Sequence, residues 1–489
     1  MPKPPNLLYI FPDQFRRSAL GFWDQPDFSG ALPTPVDPVV TPTLDALARD
    51  SVVLTNATST CPLCSPHRAM LMSGTFPGRN GVTSNCRQSR ADGLRPDLTC
   101  LTDVIANAGY DTAYVGKVHW ERTLPLFDTQ GVYVGVTEPP GGRYINKFDT
   151  FVPPGPSRHS NAYWYQCIRS RHKDPLVYSN DSSRIGGQTD GEQHRPRRYS
   201  PELEADVVID YLRNTAGQRD RGKPFSLIWS LNPPHSPYDS EEDCDEVAYR
   251  SHYQGLSPDE LLNRDNVRGP EGEAAARRSA FYFANVTGVD RQIGRVLREL
   301  AILGEAENTI IVFTSDHGEM MGSHNRFNKG VIYEESFGVP FLIKHSRELR
   351  PRLDDLLINS TDIMPTLLGL LGLQDRIPET VQGRNFADLL RDSDAQRDSE
   401  RPRSALFLSS DYERRGVRTH RYTFEVSDSG ASRLFDDQED PYQMQPLQRS
   451  DLPPDELKFL REELGNWLTS AGDAWAIQRR NEDLILYPE

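Results

Sequence analysis

Cysteine is scarce in this chain, with six thiols in 489 residues, at positions 61, 64, 86, 100, 167 and 244. That number is too low for a disulfide scaffold, and the spacings give no pair of C-x-x-C motifs of the kind that encloses a structural zinc. Cys61 and Cys64 do form one C-x-x-C, which leaves a thioredoxin-like redox pair open. Long apolar runs are missing, so no segment reads as a membrane span. Positive charge is in deficit, 55 Lys and Arg against 70 Asp and Glu, and a net charge of −15 argues against general attraction to nucleic acid or to an anionic membrane. Little precedes the first apolar run at residues 7–11, which excludes a secretory leader in this sequence and makes the cytoplasm the expected compartment. There is no internal repeat and no low-complexity tract.

What is present is a globular composition, 37% hydrophobic and 26% charged, in a chain long enough for one large core and a smaller domain. Short apolar runs at 6–11, 52–55, 112–115, 225–231, 309–314 and 341–344 read as strands buried on both faces of a sheet. Helical patterns at 41–50, 101–108, 201–214, 273–303 and 362–371 separate them. This alternation predicts an α/β fold with a mostly parallel sheet. A charged stretch at 376–403 marks a boundary between a catalytic domain, 1–375, and a C-terminal subdomain, 376–489. In the latter, 405–409, 416–426 and 432–435 alternate like antiparallel strands, 455–468 reads as a packing helix, and 475–489 is a candidate contact in a homo-oligomer. Residues 121–200 lack sustained periodicity and read as long loops. Within them the aromatic tract 148–165 fits the wall of a substrate pocket or a surface-covering loop equally well.

Chemically versatile side chains recur just beyond the strands, where open α/β sheets collect their ligands. Asp13 and Gln14 follow the first run, Lys117 and His119 stand in Gly116-Lys-Val-His, and His235 follows the 225–231 run in Asn-Pro-Pro-His-Ser-Pro-Tyr. Ser315-Asp-His-Gly-Glu follows 309–314 and leads to His324 and Lys329. Each residue has an ordinary alternative: a helix cap for Asp13, a solvated loop for Lys117 and His119, a hydrogen-bonded structural histidine for His235. Asp316 beside His317 makes half of a divalent-cation site. The stretch Cys61-Pro-Leu-Cys-Ser-Pro-His-Arg-Ala-Met-Leu-Met-Ser-Gly74 is the most distinctive. Ser65 is suited to cap a short helix, Pro66 to its first position and Gly74 to its end, so Cys64 faces a positive helix terminus beside Arg68. By itself Cys64 also reads as a small buried hydrophobe.

In this order the motifs resemble those of the type I, formylglycine-dependent sulfatases of the alkaline phosphatase superfamily. Cys64-x-Pro66-x-Arg68, continued by Leu71-Met-Ser-Gly-Thr-Phe-Pro-Gly-Arg-Asn-Gly81, is similar to the site where a cysteine is oxidised to formylglycine. The elements holding Lys117, His235 and Asp316 resemble later motifs of the family. Arg418-Thr-His-Arg-Tyr and Leu434-Phe-Asp-Asp-Gln-Glu-Asp-Pro-Tyr-Gln-Met444 resemble its C-terminal subdomain. The resemblance implies an alkaline-phosphatase-like sandwich with a large mixed, mostly parallel sheet and a smaller C-terminal antiparallel sheet. It also implies metal-dependent hydrolysis of a small sulfated substrate after Cys64 has been oxidised by a formylglycine-generating enzyme.

By the same resemblance, Asp13, Gln14, Asp316 and His317, with the modified Cys64, hold one divalent metal ion. Calcium is the family default, and imidazole opens the site to manganese or zinc. Arg68, Lys117 and Lys329 spread developing negative charge, Asp316 is the base, His235 with Lys329 supplies a proton to the leaving oxygen, and His119 helps to release sulfate. His324 assists substrate binding. The family usually has two adjacent acids where this chain has Asp13-Gln14. That departure, His317, and Asn85, which matches a substrate-binding Asn of the phosphonate monoester hydrolases or serves as a turn residue, keep a phosphonate monoester or phosphodiester hydrolase as the alternative.

Overall fold

Nine short, apolar segments pair into one sheet in the computed structural model, which describes residues 3–88, 90–123, 130, 132, 149–168, 171–392, 399–409 and 413–473. The tail 475–489, expected at a subunit contact, lies outside them, as do 124–129, 131 and 133–148 of the irregular tract. The strands are β1 (Asn6–Ile10), β2 (Val52–Leu54), β3 (Asp111–Gly116), β4 (Tyr163–Ile168), β5 (Leu176–Ser179), β6 (Phe225–Ser230), β7 (Thr309–Thr314), β8 (Phe341–Lys344) and β9 (Arg352–Asp354), in the spatial order β5-β4-β3-β6-β1-β7-β8-β2-β9. From β4 to β7 all neighbours are parallel. β5 and β8 run against their neighbours, so the sheet is mixed and mostly parallel.

The pleat sends alternate residues of β1 to opposite faces. Leu8 and Ile10 pack with Trp229, Phe313 and the helix Gly269–Ile302, through Tyr282, Phe283, Val289, Ile293 and Val296. Leu7 and Tyr9 meet the helices Leu101–Asn107 and Ile363–Leu370, through Val104, Ile105, Met364 and Leu367. Each buried aliphatic side chain contributes about 1.5–3 kcal/mol relative to exposure, so the two-faced core fixes which polar residues emerge at the strand ends. Among the described residues no helix is long and apolar enough to cross a membrane.

A second, antiparallel sheet is a meander of β10 (Ala405–Leu408), β11 (Arg414–Arg418), β12 (Tyr422–Ser427) and β13 (Ser432–Asp436). The helix Pro454–Ala471 packs Leu460, Leu464 and Leu468 on it, and Cys61, Met70 and Phe76 join the same cluster. The helix Cys64–Ser73 therefore has Met70 in the core of the small sheet and Leu71 and Met72 in that of the large one. Its ten residues are all buried, which makes it a rigid platform.

Three local expectations change. Residues 416–426 are not one strand but a hairpin, turned at His420 and Arg421 with Thr419 N donating to the Tyr422 carbonyl at 2.8 Å. The tract 121–200 is not all loop, because β4 and β5 extend the large sheet. Trp164 on β4 is fully buried, stacked on Tyr114 at a centroid distance of 5.3 Å, so it is core and not the wall of a pocket. The helix that carries Cys64 starts two residues earlier than expected, with Leu63 as its extended N-cap and Cys64 inside the first turn.

Candidate active site

Four adjacent parallel strands deliver polar side chains to one edge. Beyond β1, Asp13 N donates to the Leu231 carbonyl at 2.9 Å, which places its carboxylate beside the end of β6. At the end of β3, Gly116 has φ +107°, and a Cβ there would lie 2.0 Å from the Ser230 carbonyl oxygen. Only glycine permits that approach. Lys117 N then donates to the same carbonyl at 2.7 Å, and its ammonium turns inward onto Asp13 Oδ2 at 2.5 Å. β7 ends in Asp316 and His317, both fully buried.

Arg68 ties these ends together. Its guanidinium donates to Asp316 Oδ2 from Nε and NH2 (3.1 and 3.0 Å), to Asp13 Oδ2 at 3.0 Å, to the Lys117 carbonyl at 2.8 Å and to Ser230 Oγ at 2.6 Å. The rigid fork suits this multidentate role, which one ammonium could not fill. With the outer oxygens of both acids engaged, their Oδ1 atoms face His317 Nε2, at 3.4 Å from Asp13 and 3.6 Å from Asp316. Cys64 Sγ completes the group, 3.3 Å from His317 Nε2 and 3.7 Å from Asp13 Oδ1.

The electrostatics follow from this crowding. Burial and the Cys64 sulfur push Asp13 up, but Lys117, His235 and Arg68 hold it well below the usual carboxylate range. Burial and the neighbouring Asp13 raise Asp316. Burial alone would raise the Cys64 thiol, yet Lys117, Lys329 and His317 bring it well below its ordinary value. His317 is buried, which disfavours its cation, but Asp316 raises its proton affinity. The ligand atoms of Asp13, Cys64, Asp316 and His317 all lie within 4.8 Å of one another.

This donor set fits a divalent cation. Two buried carboxylates, one raised by the other, face a common point that attracts positive charge, and His317 Nδ1 lies 3.0 Å from the Gly318 carbonyl, which as acceptor leaves Nε2 as the ligand atom.

A second group flanks the thiol. His235 Nε2 is 3.0 Å from Lys329 Nζ, and His235 Nδ1 is 2.8 Å from the Ser236 carbonyl. Burial and Lys329 hold His235 well below its ordinary value, so its imidazole is neutral. His119 Nε2 lies 3.2 Å from the Cys86 carbonyl. Of the remaining expected residues, Asn85 accepts at Oδ1 from Ser65 N (3.0 Å), satisfying a first-turn donor of the helix, and Ser65 Oγ accepts from Cys86 N. Gln14 directs its amide to Lys329 and Glu319. His324 stacks on Tyr333 at 3.7 Å, next to the small sheet.

Several contributors carry no motif of their own in the sequence reading. Ser230 and Glu319 sit inside quoted runs, and alternation marks them only as strand-end and loop residues. Ser59 Oγ donates to the Asp316 carbonyl and meets His67 Nδ1 at 3.1 Å, while Ser360 Oγ lies 3.0 Å from the same nitrogen. Burial, with His317 and Arg68 nearby, pushes His67 down to about 3, so it braces the helix as a neutral ring.

The family model for sulfatases matches residues 5–373, and one described as N-sulphoglucosamine sulphohydrolase, C-terminal, matches 322–467. An endo-4-O-sulfatase of Bacteroides thetaiotaomicron is 40% identical, over 99% of this chain and 95% of its own. An ulvan-active sulfatase of Formosa agariphila is 32% identical, over 95% and 80%. The solved structure of a Bacteroides thetaiotaomicron protein from the metabolism of multiple glycosaminoglycans superposes with a TM-score of 0.88 at 39% identity, covering 99% of this chain and 100% of that one.

Proposed function

Because the chain belongs to the type I sulfatase family of the alkaline phosphatase superfamily and is a sulfuric ester hydrolase, we propose that it removes a 4-O-sulfate from a saccharide through a formylglycine formed at position 64. The observation that carries the mechanism is Cys64 Sγ within hydrogen-bonding reach of Asp13 and His317, at the buried first turn of a helix, with its acidity raised by surrounding cations. The saccharide is supported by likeness to the endo-4-O-sulfatase over nearly the whole of both chains.

Hydrated formylglycine supplies a hydroxyl that attacks the sulfate ester and a second that later expels sulfate. Asp13, Gln14, Asp316 and His317 are the residues that would hold a divalent cation beside it, calcium by family default with manganese admitted by the imidazole, to polarise a sulfate oxygen. Arg68 keeps the outer oxygens of both acids in place, so their inner oxygens stay convergent. Asp316, the more basic of the two carboxylates, takes the proton of the attacking hydroxyl. Lys117, on Asp13, and Lys329, on His235, bring ammonium groups to the reacting centre, where they stabilise charge on the transferring group. Lys329, hydrogen-bonded to the neutral His235, supplies the proton needed by the departing alcohol, and His119 assists in releasing sulfate.

Matured enzyme is expected to hydrolyse a 4-O-sulfated oligosaccharide at least about 100-fold faster, by kcat/KM, than a phenyl phosphonate monoester, since a site built for one transferring group rejects another by differential transition-state binding. Faster turnover of the phosphonate would contradict the reading.

A further inference from the structure

Gln14 is completely buried, and its backbone leaves it little freedom. Its φ is +64°, its N donates to Asp316 Oδ1 at 3.0 Å, and its carbonyl accepts from the Tyr282 hydroxyl at 2.7 Å. The side-chain amide lies between two opposite groups: Oε1 accepts from Lys329 Nζ at 2.5 Å and Nε2 donates to Glu319 Oε2. These partners fix the amide's orientation. A carboxylate only accepts and an ammonium only donates, so the amide cannot reverse without breaking both contacts.

Glu319 is equally constrained. Its Oε1 accepts from Met321 N at 2.9 Å and Asn328 N at 2.8 Å, and the Tyr238 hydroxyl also hydrogen-bonds the carboxylate. Asn328 immediately precedes Lys329. One carboxylate therefore holds the lysine twice, by its adjacent backbone and, through Gln14, by its head. That head is the one 3.0 Å from His235 Nε2.

We infer that Glu319 is a positioning residue for leaving-group protonation, acting through Gln14 on the Lys329–His235 pair. The inference rests on the reading of Lys329 and His235 as the proton supply. Its consequence is selective: an acidic phenol departs without a proton, whereas a sugar alkoxide needs one, so misplacing the Lys329 proton while its charge stays in the site harms poor leaving groups most.

The test uses matured protein carrying Glu319→Gln or Lys329→Ala, with a 4-O-sulfated oligosaccharide and 4-nitrophenyl sulfate as substrates and metal content measured alongside. Glu319→Gln sets one NH2 against another and forces the Gln14 amide to turn its nitrogen toward Lys329. In this variant kcat should fall about 100-fold on the sugar and less than about threefold on the aryl ester. Metal content should match the parent. Lys329→Ala also removes a charge from the transferring group, so it should lower kcat on both esters, and by about a further 30-fold on the sugar. Loss of metal, or equal loss on both substrates, in Glu319→Gln while Lys329→Ala remains selective would overturn the bridge. Equal loss in Lys329→Ala would overturn the proton-supply reading and the inference together.

Discussion

Asp13, beyond β1, and Glu204, on the helix Ser200–Arg213, are both completely buried acids, yet their surroundings drive them apart. Asp13 meets Lys117, His235 and Arg68 and is held well below the usual carboxylate range despite its burial. Glu204 accepts from the Trp229 indole at 3.0 Å and meets the Cys167 thiol, neither of them a cation, and burial pushes it up to about 8. The two environments are separated by one residue of β6, since Trp229 faces Glu204 while Ser230 faces Arg68. The thiols repeat the contrast. Cys64 is depressed by cations, whereas burial raises Cys167 well above its ordinary value and Cys244 to about 12. Burial is common to both regions, and convergent positive charge at the strand ends is what sets them apart.

The contrast breaks most sharply at Lys117. Lys117→Met keeps the apolar stem and removes the charge, and kcat on any sulfate ester should fall about 100–1,000-fold, the loss typical of a preorganised electrostatic group. A loss under about tenfold would mean that the cations do not set the site apart.

The Glu204 side is tested by stability and not by turnover. Its pKa is raised on folding, so its contribution is complete below about 4.5 and is lost as pH rises through about 8, at roughly 1.4 kcal/mol per unit between those limits. Glu204→Gln, which cannot ionise, should gain in melting temperature relative to the parent between pH 5 and pH 9. A gap constant across that range would contradict the neutral-pocket account.

The sequence shows much of this because strand ends carry the chemistry. Apolar runs around Leu8, Leu227 and Ile311 mark the central strands, and Asp13, Lys117, His235 and Asp316 follow them directly. Less visible were features set by tertiary contact. β4 was hidden because Trp164 and its neighbours lie in a stretch rich in Gly, Pro and Arg, where a short run buried on both faces shows no alternation. The turn at His420 and Arg421 has no Gly, Pro, Asn or Asp to interrupt the run. Ser65 has the residue type of a cap but spends its hydroxyl on Cys86 N, while Asn85, 20 residues away, accepts the hydrogen bond from its backbone N–H. Glu319 was legible as a motif residue but not as a bridge, because its link to Gln14 spans 305 positions.

The central claim, that the cation-rich strand ends serve a nucleophile made from Cys64, is tested most directly by the mass of the peptide bearing that residue in active enzyme. Protein produced with a formylglycine-generating enzyme should yield a peptide about 18 Da lighter than the thiol form, with specific activity proportional to the converted fraction. Full sulfate ester turnover by a preparation in which Cys64 is quantitatively a thiol would contradict the account.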